Sequence, residues 1–184
     1  MAVKASERVQ RYVNANGPTI GTVERKVLSQ DGLYFKDIDG TGTVSAVNDW
    51  RLSPEERAQA YVKTLTTSEK IGQLFTSDWR MGPKYPSPRL AANGLLDEAP
   101  VDVSDSIFGH QALPGTTDMV KKCFNRHVIL RESPSPEDLA DYLNQLQYLT
   151  ETCEHFVPMQ VMSNSRNENG EVVFGMNDAT GVFA

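Results

Sequence analysis

Two clusters of polar side chains are placed where a chain does chemistry. An apolar run from Phe156 to Met162 stops abruptly at Ser163, Asn164, Ser165, Arg166 and Asn167. A shorter run, His127-Val-Ile-Leu130, stops at Arg131-Glu132. Short apolar runs of this kind read as strands buried on both faces. In α/β folds, ligands sit just beyond the carboxyl ends of such strands. Between the runs, Ser135-Pro136-Glu137-Asp138 opens a helix with Leu139, Tyr142, Leu143, Leu146, Leu149 and Cys153 on one face. Strand, capped helix and strand make a βαβ crossover with parallel pairing. Both polar clusters then lie at the same edge of one sheet. The plainer alternative is a strand followed by a solvated turn.

A second constellation is Asp37-Ile-Asp-Gly-Thr-Gly-Thr-Val-Ser-Ala-Val-Asn48. It resembles a calcium loop of the EF-hand type. Asp37, Asp39 and Thr41 hold its first, third and fifth positions, and Gly42 supplies the sharp turn. Thr43 offers a carbonyl at the seventh. A hard cation needs several oxygens converging at about 2.4 Å, and this spacing wraps them around one point. Position twelve, a bidentate glutamate in such loops, is Asn48, with Asp49 next. The alternatives are a structural calcium of weak affinity, since affinity follows ligand charge, and a Gly/Asp turn that holds no metal.

Composition narrows the function further. The chain has 184 residues, 39% of them hydrophobic, which suffices for one domain with a real core. A complete (β/α)8 barrel typically needs about 250 residues. The net charge of -6 comes without a basic block, which argues against nucleic acid as a partner. No apolar run approaches the ~20 residues of a membrane span. Met1 to Gln10 carries no apolar signal region, so the expected compartment is the cytoplasm; a processed N-terminus would redirect it to the periplasm or outside the cell. Cys123 and Cys153 form no CxxC pair, and His110, His127 and His155 stand far apart with no HExxH.

The remaining elements must position these groups. Residues 1–30 read as an extended or loosely helical arm broken at Asn14-Ala-Asn-Gly17-Pro18. Ser53, Pro54 and Glu56 form a capping box for a helix with Ala58, Tyr61, Val62 and Leu65 at helical spacing. Thr66 to Glu69 starts a second helix with Ile71, Leu74 and Phe75, and both apolar faces are expected in the core. Residues 81–105, rich in Pro and Gly, read as a long irregular loop, which in a compact domain is usually functional or disordered. Asp105-Ser-Ile-Phe-Gly109 is a short apolar piece, and Met119 to Phe124 a short helix. The ending Gly181-Val-Phe-Ala184 has no cap, charge or turn and reads as a domain cut off.

Together these segments resemble the opening of family 3 glycoside hydrolases of the β-glucosidase type. The resemblance is carried by Lys36-Asp-Ile-Asp-Gly-Thr-Gly42, Asp49-Trp-Arg-Leu-Ser-Pro-Glu-Glu-Arg-Ala58 and Leu65-Thr-Thr-Ser-Glu-Lys-Ile-Gly-Gln-Leu74, of which Glu69 to Leu74 is the most specific piece. Asn125 to Ala140 and Pro158 to Asn167 look like the early barrel of that family. It implies a fold of class α/β: an incomplete (β/α)8 TIM-type barrel over residues 51–184, preceded by an N-terminal arm with an EF-hand-like loop over residues 1–50. The whole family enzyme adds an α/β sandwich and hydrolyses terminal β-linked sugars with retention. That chemistry needs two carboxyl groups ~5.5 Å apart. The family's nucleophile comes late in the barrel and its acid/base usually beyond it, so no catalytic residue is assigned in this chain, which is expected to be inactive alone.

Sugar binding is implied for the early barrel. The family's aspartate at the end of the second strand aligns with Asn164, which still donates and accepts hydrogen bonds but lacks the charge. Arg166, Asn167 and Arg131 are the neighbouring candidates. The candidate calcium ligands are Asp37, Asp39, Thr41, Thr43 and Asn48. Expected partners are a carbohydrate substrate in the full-length enzyme and the missing C-terminal part of that enzyme. The alternatives are a free-standing non-catalytic binding or interaction module, and a small, weak calcium-binding protein.

Overall fold

The computed structural model describes residues 8–79, 96, 98, 100–103, 111–130 and 135–163. Of the expected irregular loop of 81–105, residues 96, 98 and 100–103 are described, and Val101–Val103 form a strand instead; the rest of it, the 105–109 piece and the tail from 164 onward lie outside the described residues.

The arm is built of strands rather than helix. β1 (Gln10–Tyr12) pairs antiparallel with β2 (Ile20–Thr22), and β3 (Val27–Gln30) with β4 (Leu33–Lys36). The second hairpin closes through two residues, Asp31 (φ 53°) and Gly32 (φ 76°). An Asp-Gly pair with both φ values positive matches the twist of the flanking strands. Asn14 fastens the two hairpins together. Its Nδ2 donates to the carbonyls of Pro18 (2.9 Å) and Tyr34 (3.0 Å), and its Oδ1 accepts from the Tyr34 N–H (2.8 Å).

Both capping boxes form. α1 (Pro54–Thr64) starts at Ser53 with Glu56, and α2 (Thr67–Gly72) at Thr66 with Glu69. Each box satisfies two backbone N–H groups that an uncapped helix would leave open. The expected burial of their apolar faces is corrected in part. Leu65 is buried, but α1 has no buried residue, and Val62, Ile71, Leu74 and Phe75 are exposed, Leu74 to 83%.

The sheet that follows has three parallel strands in the order β5 (Thr76–Trp79), β8 (His127–Leu130), β9 (Gln160–Ser163). Between β5 and β8 lie the antiparallel pair β6 (Val101–Val103) and β7 (Gln111–Leu113), then α3 (Thr116–Lys121). The β8 to β9 crossover carries α4 (Pro136–Glu151), capped by Ser135. The last strand is shorter than the apolar run that announces it. Phe156 to Met159 lie outside the ladder yet leave Phe156 and Met159 buried. Gln147 holds this approach: its Nε2 donates to the Met159 carbonyl (2.7 Å), and its Oε1 accepts from the Met159 N–H (3.1 Å). Met119, Val120, Val128, Leu130, Tyr142, Leu146, Cys153 and Met159 form one core between sheet and helices. No helix among the described residues is long and apolar enough to cross a membrane.

Candidate functional site

The register aligns the carboxyl ends of the three parallel strands. Trp79 pairs with Leu130, and Leu130 with Ser163. Arg131 and Asn164 are the next residues in the chain after β8 and β9. Arg131, Asn164, Arg166 and Asn167 all lie outside the described residues.

The opposite, amino end of the sheet carries a network of described polar contacts. α4 ends there, at Glu151, and the arm is fixed to it. Glu151 Oε2 accepts hydrogen bonds from the Val23 and Glu24 N–H groups, both at 2.8 Å, and from Thr22 Oγ1 at 3.1 Å. Its Oε1 lies 2.6 Å from Lys36 Nζ. Burial alone would raise the Glu151 pKa, but the donors from Glu24, Lys36 and Val23 outweigh it and hold the carboxyl below its ordinary value. Arg25 donates to the carbonyls of Cys153 and Glu154, in the segment that follows α4. Lys36 also stands 4.9 Å over the ring of Phe156.

Glu69 couples α2 to the same end. One carboxylate oxygen completes the capping box, accepting from the Thr66 N–H at 2.8 Å. The other lies 2.7 Å from His155 Nδ1. Burial raises the Glu69 pKa, and the Thr66 and His155 contacts bring it below its usual value. Beside them, Ile38, Val47, Ala58, Tyr61, Phe156 and Pro158 line an apolar cavity of about 220 Å³. The Tyr61 hydroxyl is buried without a hydrogen-bond partner, and that burial pushes its pKa up.

The loop of 37–48 joins this end through the Phe156 N–H, which donates to the Ile38 carbonyl at 3.3 Å. It brings the expected ligands Asp37, Asp39, Thr41, Thr43 and Asn48 together. Gly40 and Gly42 have φ values of 70° and 73°, which close the turn. Asp37 and Asn48 are buried. Asp39 Oδ1 accepts from Thr41 Oγ1 and Asn48 Nδ2, both at 2.8 Å, and its Oδ2 from Ser45 Oγ at 2.5 Å. Burial would raise the Asp39 pKa, and these donors lower it overall. As oriented, Asn48 turns a donor toward the loop's oxygens, where a calcium ion needs an acceptor. Among the described residues, no group of three or more His, Cys, Asp or Glu side chains could hold a metal.

The arm contacts of Glu151 and the Glu69–His155 pair were not foreseen from the sequence. Glu69 is legible as a helix cap, but its second partner is 86 residues away, and the Glu151 partners lie 115 to 129 residues away. No local pattern encodes such pairs.

No family model matches the chain. It is 26% identical over 160 residues to the periplasmic beta-glucosidase/beta-xylosidase of Dickeya chrysanthemi, an alignment covering 86% of this chain and 21% of that protein. The chain thus spans about a fifth of the length of this curated relative, and the similarity is that of a distant, glycosidase-like relationship.

Proposed function

We propose that this chain is the N-terminal segment of a retaining β-glycosidase of the family 3 type, acting on terminal β-linked sugars. The observation that carries the reading is the alignment of 86% of the chain with a beta-glucosidase/beta-xylosidase. The parallel β5–β8–β9 sheet, whose strand order follows the chain, is compatible with the first strands of a (β/α)8 barrel. In that reading the sugar meets the carboxyl edge through Asn164, Arg166, Asn167 and Arg131. The two catalytic carboxyl groups belong to the remainder of the enzyme, and this segment alone is inactive.

Hydrolysis of chromogenic aryl β-glycosides tests the proposal. It is measured on this chain and on one extended through the coding sequence that follows. The expected result is activity in the extended protein alone. Inactivity of both would overturn the glycosidase reading, and activity of the short chain would overturn the placement of the carboxylates. The relative's name puts that protein in the periplasm. Fractionation of cells expressing the whole gene decides the compartment.

A further inference from the structure

Asn48 stands where a calcium loop of the EF-hand type carries its bidentate glutamate. Its Nδ2 lies 2.8 Å from Asp39 Oδ1, 2.8 Å from the Thr43 carbonyl and 3.5 Å from Asp37 Oδ1. Those oxygens belong to positions one, three and seven, which such a loop turns toward its cation. The amide nitrogen therefore reaches the oxygens a cation would gather, and it meets them as a donor.

The orientation of the amide is fixed from its other side. Asn48 Oδ1 accepts from the Ile38 N–H at 2.7 Å. Turning the carboxamide over would set two donors against each other at Ile38 and an oxygen against the carboxylates. Asn48 is 1% exposed, so water does not compensate for that reversal. The rest of the loop is closed with neutral donors as well: Thr41 and Ser45 on Asp39, and the Gly42 N–H on Asp37 at 3.2 Å.

We propose that the Asn48 carboxamide takes the place of the cation, so that the loop holds its closed form without calcium and does not admit it. The loop is then a metal-free clasp between the arm and the amino end of the sheet. This assignment is independent of the glycosidase reading, because it concerns only the chemistry within residues 37–48.

The test is a titration of the full chain with calcium chloride, followed by Tm, and with Tb³⁺, followed by luminescence sensitised through Trp50. That indole lies two residues beyond Asn48 and stacks on Phe35 with ring centroids 5.7 Å apart. The wild type should show the same Tm in millimolar calcium and in chelator, and no saturable Tb³⁺ signal. Asn48→Glu and the near-isosteric Asn48→Asp restore an acceptor at position twelve. Each should gain a saturable Tb³⁺ signal and a calcium-dependent rise in Tm of roughly 5–10 °C at a hundredfold excess over Kd. A calcium-dependent Tm or a saturable Tb³⁺ signal in the wild type overturns the proposal. So does a folded Asn48→Asp chain that gains neither. If Asn48→Glu does not fold, Asn48→Asp carries the comparison, and the wild-type titration needs no variant.

Discussion

Lys36 Nζ lies 2.6 Å from Glu151 Oε1, joining the last strand of the arm to the last residue of α4 across 115 residues of chain. Glu151 is 6% exposed and also receives the Val23 and Glu24 N–H groups. The arm is thereby tied to the end of α4 by a buried charge. Removing one member of a buried pair leaves the other charge uncompensated, at a cost of about 3–5 kcal/mol. Glu151→Ala should destabilise the chain by that amount in urea unfolding. Glu151→Gln keeps one acceptor for the backbone donors but loses the charge and sets an amide donor against Lys36, for an intermediate loss of about 1–3 kcal/mol. A Glu151→Ala loss under about 1 kcal/mol would show that the arm is held by other contacts.

The same carboxylate sets the response to acid. The folded pKa values of Glu151, Glu69 and Asp39 all lie below their ordinary values of 4.5, 4.5 and 3.8. In each case the hydrogen bonds to the charged form outweigh burial. The unfolded chain therefore binds protons first as pH falls, so stability decreases toward low pH. The stabilisation is fully present above the unfolded values and drains away as pH drops through about 4.5 toward the depressed folded values. Tm should be flat near neutrality and fall steeply below that point. Glu151→Gln should have a lower Tm at pH 7 and a shallower acid slope. An unchanged slope would remove Glu151 from this account.

Glu69 to Leu74, the most specific stretch of the sequence, also has a local physical reason. Glu69 caps α2 and meets His155, and Gln73 Nε2 donates to the Phe124 carbonyl at 3.3 Å. Gly72 lets α2 approach the backbone at Cys123 and Phe124, where a β-carbon would overlap their carbonyl oxygens. Gly72→Ala should therefore destabilise by about 1–3 kcal/mol, the usual cost of overpacking. At an open helical position the same change stabilises slightly. Urea unfolding distinguishes the two, and a stabilised Gly72→Ala would mean that α2 does not pack so closely.

What the sequence revealed and what it hid follow the range of the interactions. Ser53, Thr66 and Ser135 announced three helices because a cap and its partner lie three residues apart. The β8–α4–β9 unit was legible because its strands are apolar and its helix amphipathic. β5 was not: Thr76-Ser-Asp-Trp79 has neither alternation nor an apolar run, and it becomes a strand by pairing with β8. The arm's β1 and β2 are three residues each, too short to carry a period. The loop of 37–48 was legible in its spacing, yet not in the direction of the Asn48 amide, which the Ile38 N–H sets. The helical spacing of Ile71 and Leu74 predicts a core face, but spacing reports a face and not what covers it.

That uncovered face gives a test of the proposed barrel. Leu74 is 83% exposed, Phe75 61%, Val62 51% and Ile71 49%, on α1, α2 and the residues just after. Where exposed apolar side chains gather in one patch, they mark an interaction site or an aggregation liability. If the remainder of a barrel covers it, the short chain should self-associate through it, in light scattering and in gel filtration. Leu74→Gln with Phe75→Ser should suppress that association and change the short chain's own stability by less than about 0.5 kcal/mol, since neither side chain packs in it. In the extended protein the same pair should be destabilising, by about 1.5–3 kcal/mol for each side chain that becomes buried there. Equal effects in both lengths would mean that the rest of the enzyme does not dock on Leu74 and Phe75.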